Sequence, residues 1–302
     1  MHSETNDPLT QLSASLAARV TAATPLIAGL VTRRGEPHGA LLWRKDVIIA
    51  SEQSLSSRDE FQAILPGGSR TAARLAGRDP GTNIAVLRLG TAEPGEGSPA
   101  ASTAEAGSLV VALGIDAHGS ATSRLALVHR LGPAWHSQAG GRIDQLIVLD
   151  TRLRWREEGG PVIGAGGALL GMSTLGPRGR VLVIPHATIA RVVPQLLAHG
   201  RVARGWLGVG LQPVCLPAEL KASTGREVGL MVISLAAGGP AASAGVIQGD
   251  ILLDVGGCAV TDRSALAAAL DESRVGQPVS VRLLRAGVLH TLEVTIAARP
   301  AG

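Results

Sequence analysis

Glu157 and Glu158 stand side by side ahead of Gly159-Gly160-Pro161, and a pair of carboxylates on a turn can do two kinds of chemistry. One is general acid/base transfer; the other, with oxygen donors such as Gln53 and Asn83, is ligation of a hard cation. Adjacent side chains in an extended loop point apart, so at most one carboxylate enters a shared cleft, and neither a metal nor a cofactor is expected. Nucleophilic chemistry would need a hydroxyl beside a base that a third group holds in place. The candidates are His38, His118, His129 and His136 with Ser54, Ser57, Ser137 and Ser173, and no pairing among them stands out. A lone loop histidine is usually solvated. The plainest role for Glu158 is to fill a pocket and accept hydrogen bonds from amides.

Short strands must position these residues. Apolar runs at 26–31, 39–43, 46–50, 61–65, 71–75, 84–89, 109–113, 123–128 and 145–149 are punctuated by close turns, the rhythm of a β-barrel or sandwich. Leu12, Leu16, Ala17 and Val20 share one face of a short amphipathic helix over 9–20. Residues 1–9 are expected to form a polar, disordered tail.

The chain has 302 residues, 45% hydrophobic but only 2% aromatic, so two domains with aliphatic cores are expected. Its net charge of +4 comes from arginines scattered among acids, which argues against a nucleic-acid partner. Two cysteines, Cys215 and Cys258, lack metal-ligand spacing; buried thiols are expected, with pairing left open. Residues 1–8 have no basic and apolar leader and no run spans a bilayer. The chain as written is expected in the cytoplasm, or in the periplasm if a leader was removed.

Three segments then take on a specific likeness. Val47-Ile48-Ile49-Ala50-Ser51-Glu52-Gln53-Ser54-Leu55 resembles the strand-then-histidine segment of HtrA/Deg trypsin-like serine proteases, with Gln53 at the histidine position. Asp79-Pro80-Gly81-Thr82-Asn83-Ile84-Ala85-Val86-Leu87 resembles the aspartate segment, with Asn83 in its place. Trp155 to Val162 resembles the nucleophile loop, with Glu158 where the serine stands and Arg156 where a glycine normally shapes the oxyanion hole. The three positions lie 30 and 75 residues apart, close to the family's intervals. Gly179 to Pro185, Arg191 to Leu197 and Gly205 to Val209 resemble the closing strand, the connecting helix and the entry into a PDZ domain.

The resemblance implies a mainly β chain: a trypsin-like double six-stranded barrel over 10–196, a linker at 197–204, and a PDZ domain over 205–300, a small β-barrel with two helices. Gln53, Asn83 and Glu158 should share the cleft between the barrels. None can replace its family counterpart, since Glu158 has no hydroxyl, Gln53 does not titrate near neutrality and Asn83 cannot stabilise an imidazolium. A catalytically inactive peptide-binding or regulatory protein, related to protein quality control, is the leading expectation. The alternative is a serine endopeptidase with a displaced constellation. Trp206, Leu207, Gly208 and Val209 resemble the loop that binds a peptide's terminal carboxylate, Gly210 and Leu211 begin the edge strand, and Leu266 and Leu270 face it from a helix capped by Asp262. The implied partners are C-terminal peptides or unfolded segments of other proteins. Assembly with other HtrA-type subunits or as a homotrimer is also implied, although the aromatic contacts common in that interface are scarce here.

Overall fold

Helix α1 (Pro8–Ala23) opens the computed structural model, which describes residues 7–32, 35–90 and 99–299. Asp7 caps it by accepting from the Thr10 N–H at 3.1 Å, satisfying one of the helix's unpaired amides. Residues 8 and 9 of the expected tail are therefore helical, and residues 1–6 lie outside the described residues. Leu16 and Val20 pack against Ile27, Leu113 and Ile163, while Leu9 and Leu12 stay exposed.

The first barrel contains β1 (Ile27–Val31), β2 (Pro37–Arg44), β3 (Val47–Ser51), β4 (Glu60–Ile64), β5 (Arg70–Asp79) and β6 (Ile84–Leu89), closed in the order β1-β2-β3-β6-β5-β4. Its interior alternates small and large residues: Ala28, Ala40, Ala50, Ala63 and Ala73 interleave with Leu30, Ile48 and Leu87. That alternation, joined by the ring of Phe61, fills a narrow closed sheet.

The second barrel contains β7 (Leu109–Ile115) and β8 (Ala121–Gly132). After the short strands β9 (Trp135–His136) and β10 (Arg142–Ile143) come β11 (Leu146–Leu149), β12 (Pro161–Gly164), β13 (Leu169–Leu175) and β14 (Val181–Pro185). It closes in the order β11-β14-β13-β12-β7-β8. Helix α2 (His186–His199) buries Ile189, Val192, Val193 and Leu196 and ends on Gly200 at φ 71°, a left-handed cap that glycine adopts without strain. Residues 197–199 are thus the last turn of a helix rather than linker. Gly77 in β5 permits close approach there, because a Cβ on it would lie 2.6 Å from the Gly200 carbonyl oxygen.

Chain contacts divide the protein into one unit of Met1–Trp135 with Ile143–Arg201 and another of His136–Arg142 with Val202–Gly302. In the second, β15 (Gly205–Trp206) pairs with β22 (Ala297–Ala298). A sheet runs β16 (Val209–Cys215), β17 (Val228–Leu235), β18 (Ile251–Val255), β20 (Pro278–Arg285), β21 (Val288–Thr295), with β19 (Cys258–Ala259) beside β18. Three short helices complete it: α3 (Ala218–Thr224), α4 (Pro240–Ser243) and α5 (Arg263–Ala269). Asp262 caps α5, accepting from Ala265 N–H at 2.8 Å. Cys215, at the end of an edge strand, and Cys258, beside a turn, are exposed free thiols, which corrects the expectation of burial: neither position faces the core.

Candidate functional site

Gln53 lies just beyond β3, Asn83 just before β6, and Glu158 just before β12, and the folding of these strands brings the three side chains together. Asn83 sits at φ 57°, a left-handed conformation that asparagine tolerates better than most residues. The preceding turn is fixed by Asp79, whose carboxylate accepts from Gly81 N–H at 3.2 Å, Thr82 N–H at 3.1 Å and the Thr82 hydroxyl at 2.7 Å. Asn83 Oδ1 accepts from Gln53 N–H at 2.9 Å, and its amide donates to Ser51 Oγ at 2.9 Å and Thr174 Oγ1 at 2.6 Å.

Glu158 is the centre of the cluster. Its Oε1 accepts from Ser51 Oγ (2.8 Å), Gln53 Nε2 (2.5 Å), Thr174 Oγ1 (2.8 Å) and Leu175 N–H (3.1 Å). Four donors on one buried oxygen let the carboxylate stay in the interior without a cation in contact among the described residues. Gln53 Nε2 also reaches the Leu175 carbonyl at 2.9 Å, which fixes its amide against the second barrel.

Glu157 turns the opposite way. Arg124 on β8 holds it with two hydrogen bonds of 2.9 Å, and Arg154 N–H adds a third at 2.7 Å. The Glu157 carboxylate in turn holds the Arg124 guanidinium above its usual pKa. Only one carboxylate enters the cluster, so the two do not form an acid/base pair. Arg156 carries its guanidinium to Glu36 and over the Trp155 ring, while its carbonyl accepts from Gly39 N–H at 2.7 Å.

Sequence reasoning missed Ser51 and Thr174 as members of this cluster. It singled out Ser173, whose hydroxyl instead bonds to the Glu157 and Gly160 carbonyls on the other face of β13. Strand alternation was the available signal, since successive side chains leave opposite faces. Ser54 donates to the Ser51 carbonyl at 2.7 Å, and Ser51 and Ser173 are each 0% exposed. His38 is buried beside Trp155, and His118 and His129 are exposed.

In the second unit, Leu207 and Gly208 connect β15 to β16. Their carbonyls accept from Ala241 N–H at 2.9 Å and Ala236 N–H at 2.8 Å, which pins the loop, whereas among the described residues no acceptor takes their own N–H groups. Gly208 has φ 75°, and a Cβ there would lie 3.2 Å from the Trp206 ring and 3.3 Å from Ala236 Cβ. Of the residues expected to line a groove, Leu207, Leu211 and Leu270 are buried in the core, and Val209 and Leu266 are half-buried against it. Trp206 and Gly210 are partly exposed. Among the described residues β16 pairs only with β17, so its other edge offers backbone groups for an added strand.

Comparison with known proteins covers both units. A trypsin-like peptidase domain model matches residues 39–172, and a PDZ domain model matches 205–296. A probable periplasmic serine endoprotease, DegP-like, of Brucella suis is 29% identical over 275 residues, covering 87% of this chain and 52% of the relative. Serine protease Do-like HtrA of Lactobacillus helveticus is 26% identical over 264 residues, covering 80% of this chain and 63% of its own. The solved HtrA-type protease AlgW with tripeptide superposes with a TM-score of 0.73 at 25% identity, covering 95% of this chain and 98% of that one. The chain spans about half the length of the first of these relatives.

Proposed function

Starting from a chain of the HtrA/DegP kind, a trypsin-like double barrel followed by a PDZ domain, we propose that it is a catalytically silent peptide-binding or regulatory scaffold. We assign residues 10–196 to the protease-like domain and 205–300 to the PDZ domain. The observation that carries the silence is Glu158, bonded through one oxygen to Gln53 and three other donors. An enzyme of this class needs an attacking hydroxyl and a base to take its proton. Here the corresponding side chains are a carboxylate and an amide, and the amide is already engaged in hydrogen bonds. Ser51, the hydroxyl bonded to Glu158, is fully buried, out of a substrate's reach. The relatives are named proteases; the departure from those names rests on these three side chains.

The binding half of the reading is supported by the Leu207 and Gly208 N–H groups, which no acceptor takes among the described residues, and by the unpaired edge of β16 that follows them. A peptide's terminal carboxylate would accept from those donors while its last side chain rests on Leu266, with Leu270 beneath. Ordering an extended peptide costs affinity, so binding is expected near micromolar, about −8 kcal/mol. Partners are then C-terminal peptides or unfolded segments, reached in the periplasm if the relatives' compartment carries over. Homotrimers or mixed assembly with HtrA-type subunits remain part of the same proposal.

Two measurements on the full chain test it. Labelled casein should not be cut, and a serine-directed fluorophosphonate should label nothing; a labelled serine would return the chain to the endopeptidases through a displaced constellation. A fluorescent peptide ending in valine should bind by anisotropy, and failure of all apolar C-termini to bind would remove the scaffold reading.

A further inference from the structure

In the first unit lies a cavity of about 240 Å³ whose apolar wall includes Val31, Leu55, Phe61 and Trp155 and whose polar wall includes His38 and Ser56. His38 is 6% exposed. Its ring lies 4.3 Å from the Trp155 ring, centroid to centroid. Burial, the largest influence, holds its pKa below the usual imidazole value, against the pull of Glu158. The ring is therefore neutral near pH 7. A neutral imidazole offers one N–H and one lone pair. His38 Nδ1 is buried without a partner, and so is the Ser56 hydroxyl. Buried polar atoms are nearly always paired, and two orphans on one cavity wall point to a ligand that pairs them.

The cavity's size and chemistry restrict what that ligand can be. Its volume is below the range of about 300–1,000 Å³ typical of sites for drug-sized ligands, which leaves room for a single ring. A hydroxyl both donates and accepts, so it can pair with Nδ1 in either tautomer and with Ser56 as well, whereas an ionised carboxylate or phosphate can only accept. Flanking aromatic rings suit another ring packed edge-to-face or offset against them. We propose that the cavity binds a phenolic ring, its hydroxyl donating to His38 Nδ1 and accepting from Ser56, its carbon skeleton against Phe61 and Trp155. The phenol can be a free small molecule or a tyrosine side chain. The site depends neither on the PDZ loop nor on the loss of catalysis.

The test uses the full chain with p-cresol and toluene, which differ by the hydroxyl, and with acetyl-Gly-Tyr-Gly-amide and its phenylalanine counterpart. Calorimetry should give p-cresol at least a tenfold tighter dissociation constant than toluene, and His38→Phe should erase that difference while toluene binding is retained. In the unmutated chain, the nitrogen resonance of His38 Nδ1 should move on adding p-cresol and stay put with toluene, a readout that holds even if the variant fails to fold. A tyrosine peptide that binds at least tenfold tighter than its phenylalanine counterpart identifies a side-chain ligand. Equal peptides with the p-cresol preference intact identify a free phenol. Equal binding of p-cresol and toluene, binding of neither, an unmoved His38 resonance, or a p-cresol preference that survives His38→Phe would each overturn the proposal.

Discussion

The cluster around Glu158 and the loop at 206–209 treat their polar groups in opposite ways. Around Glu158 the chain has turned inward: Ser51, Gln53, Asn83 and Thr174 spend their donors on one another and on the carboxylate. At the loop, the Leu207 and Gly208 carbonyls are bonded but their N–H groups are not, among the described residues. A site that serves only the fold satisfies its polar groups internally, whereas one that awaits a ligand leaves some of them open. By that criterion the proposed reading follows, in which the barrel pair has become structure and the working site is the loop in the second unit.

The largest effect should come from breaking the closed cluster. Glu158→Leu removes the acceptor of four donors, each costing about 1–3 kcal/mol when left buried and unpaired. Since hydroxyls can re-aim, a net loss of roughly 3–5 kcal/mol is expected in denaturant unfolding. Glu158→Gln keeps an acceptor oxygen and should lose about 1 kcal/mol. Equal losses for both would mean that the cluster is held by packing and not by this oxygen.

Next in size is the open loop. Gly208→Asp forces a side chain onto φ 75°, a conformation costing about 1–2 kcal/mol for a residue with a Cβ, and brings a carboxylate to the donors that a peptide would use. Peptide affinity should fall at least tenfold, about 1.4 kcal/mol. Anisotropy that shows unchanged binding would place the peptide elsewhere.

Acid should separate the two regions further. Burial pushes the Asp250 carboxyl up, but the hydrogen bonds from Arg285 and the Ile247 N–H outweigh it and leave its pKa below the usual value. A carboxyl depressed in the folded state stabilises above its unfolded pKa of about 3.9, and that stability is lost as pH falls through the lower folded value. His38 is different: its folded pKa is also depressed, so the unfolded chain binds the proton more readily, and stability fades as pH drops below about 6.5. Thermal unfolding followed between pH 7 and 5 should therefore soften the first unit before the second, and the reverse order would contradict both assignments.

The smallest expected effect is none at all: Glu158→Ser alone should not cleave casein, because Gln53 is no base. On the proposed reading only the triple change with Gln53→His and Asn83→Asp supplies every part, and Arg156, at the proposed oxyanion position, can still keep it weak, since one misplaced donor costs about 3–4 kcal/mol. Cleavage by the single variant would mean that another residue is the base.

Much of this was legible from pattern. The apolar runs around Ile48, Leu87 and Val110 announce barrel strands because they are buried on a closed sheet, and Asp262 announces its helix because a cap needs that side chain. The ends of elements were less legible: α2 begins five residues before the expected Arg191, where the apolar strand β14 passes directly into the helix. Thr174 was hidden by its neighbour, since local sequence does not say which of two adjacent hydroxyls faces the cleft. Cys215 and Cys258 show that apolar composition does not fix burial at a sheet edge or a turn. Leu270, read as groove wall, is in the core because α5 ends at Ala269 and the chain turns inward there.

The claim that the loop at Leu207 and Gly208 is the working site is tested most directly by calorimetry of the full chain with peptides ending in valine, free or amidated at the C-terminus. Hydrogen bonds to a charged group contribute about 1.5–3 kcal/mol, so amidation should weaken binding by at least tenfold. Equal affinity for the two forms would show that the loop is structural and would contradict the account.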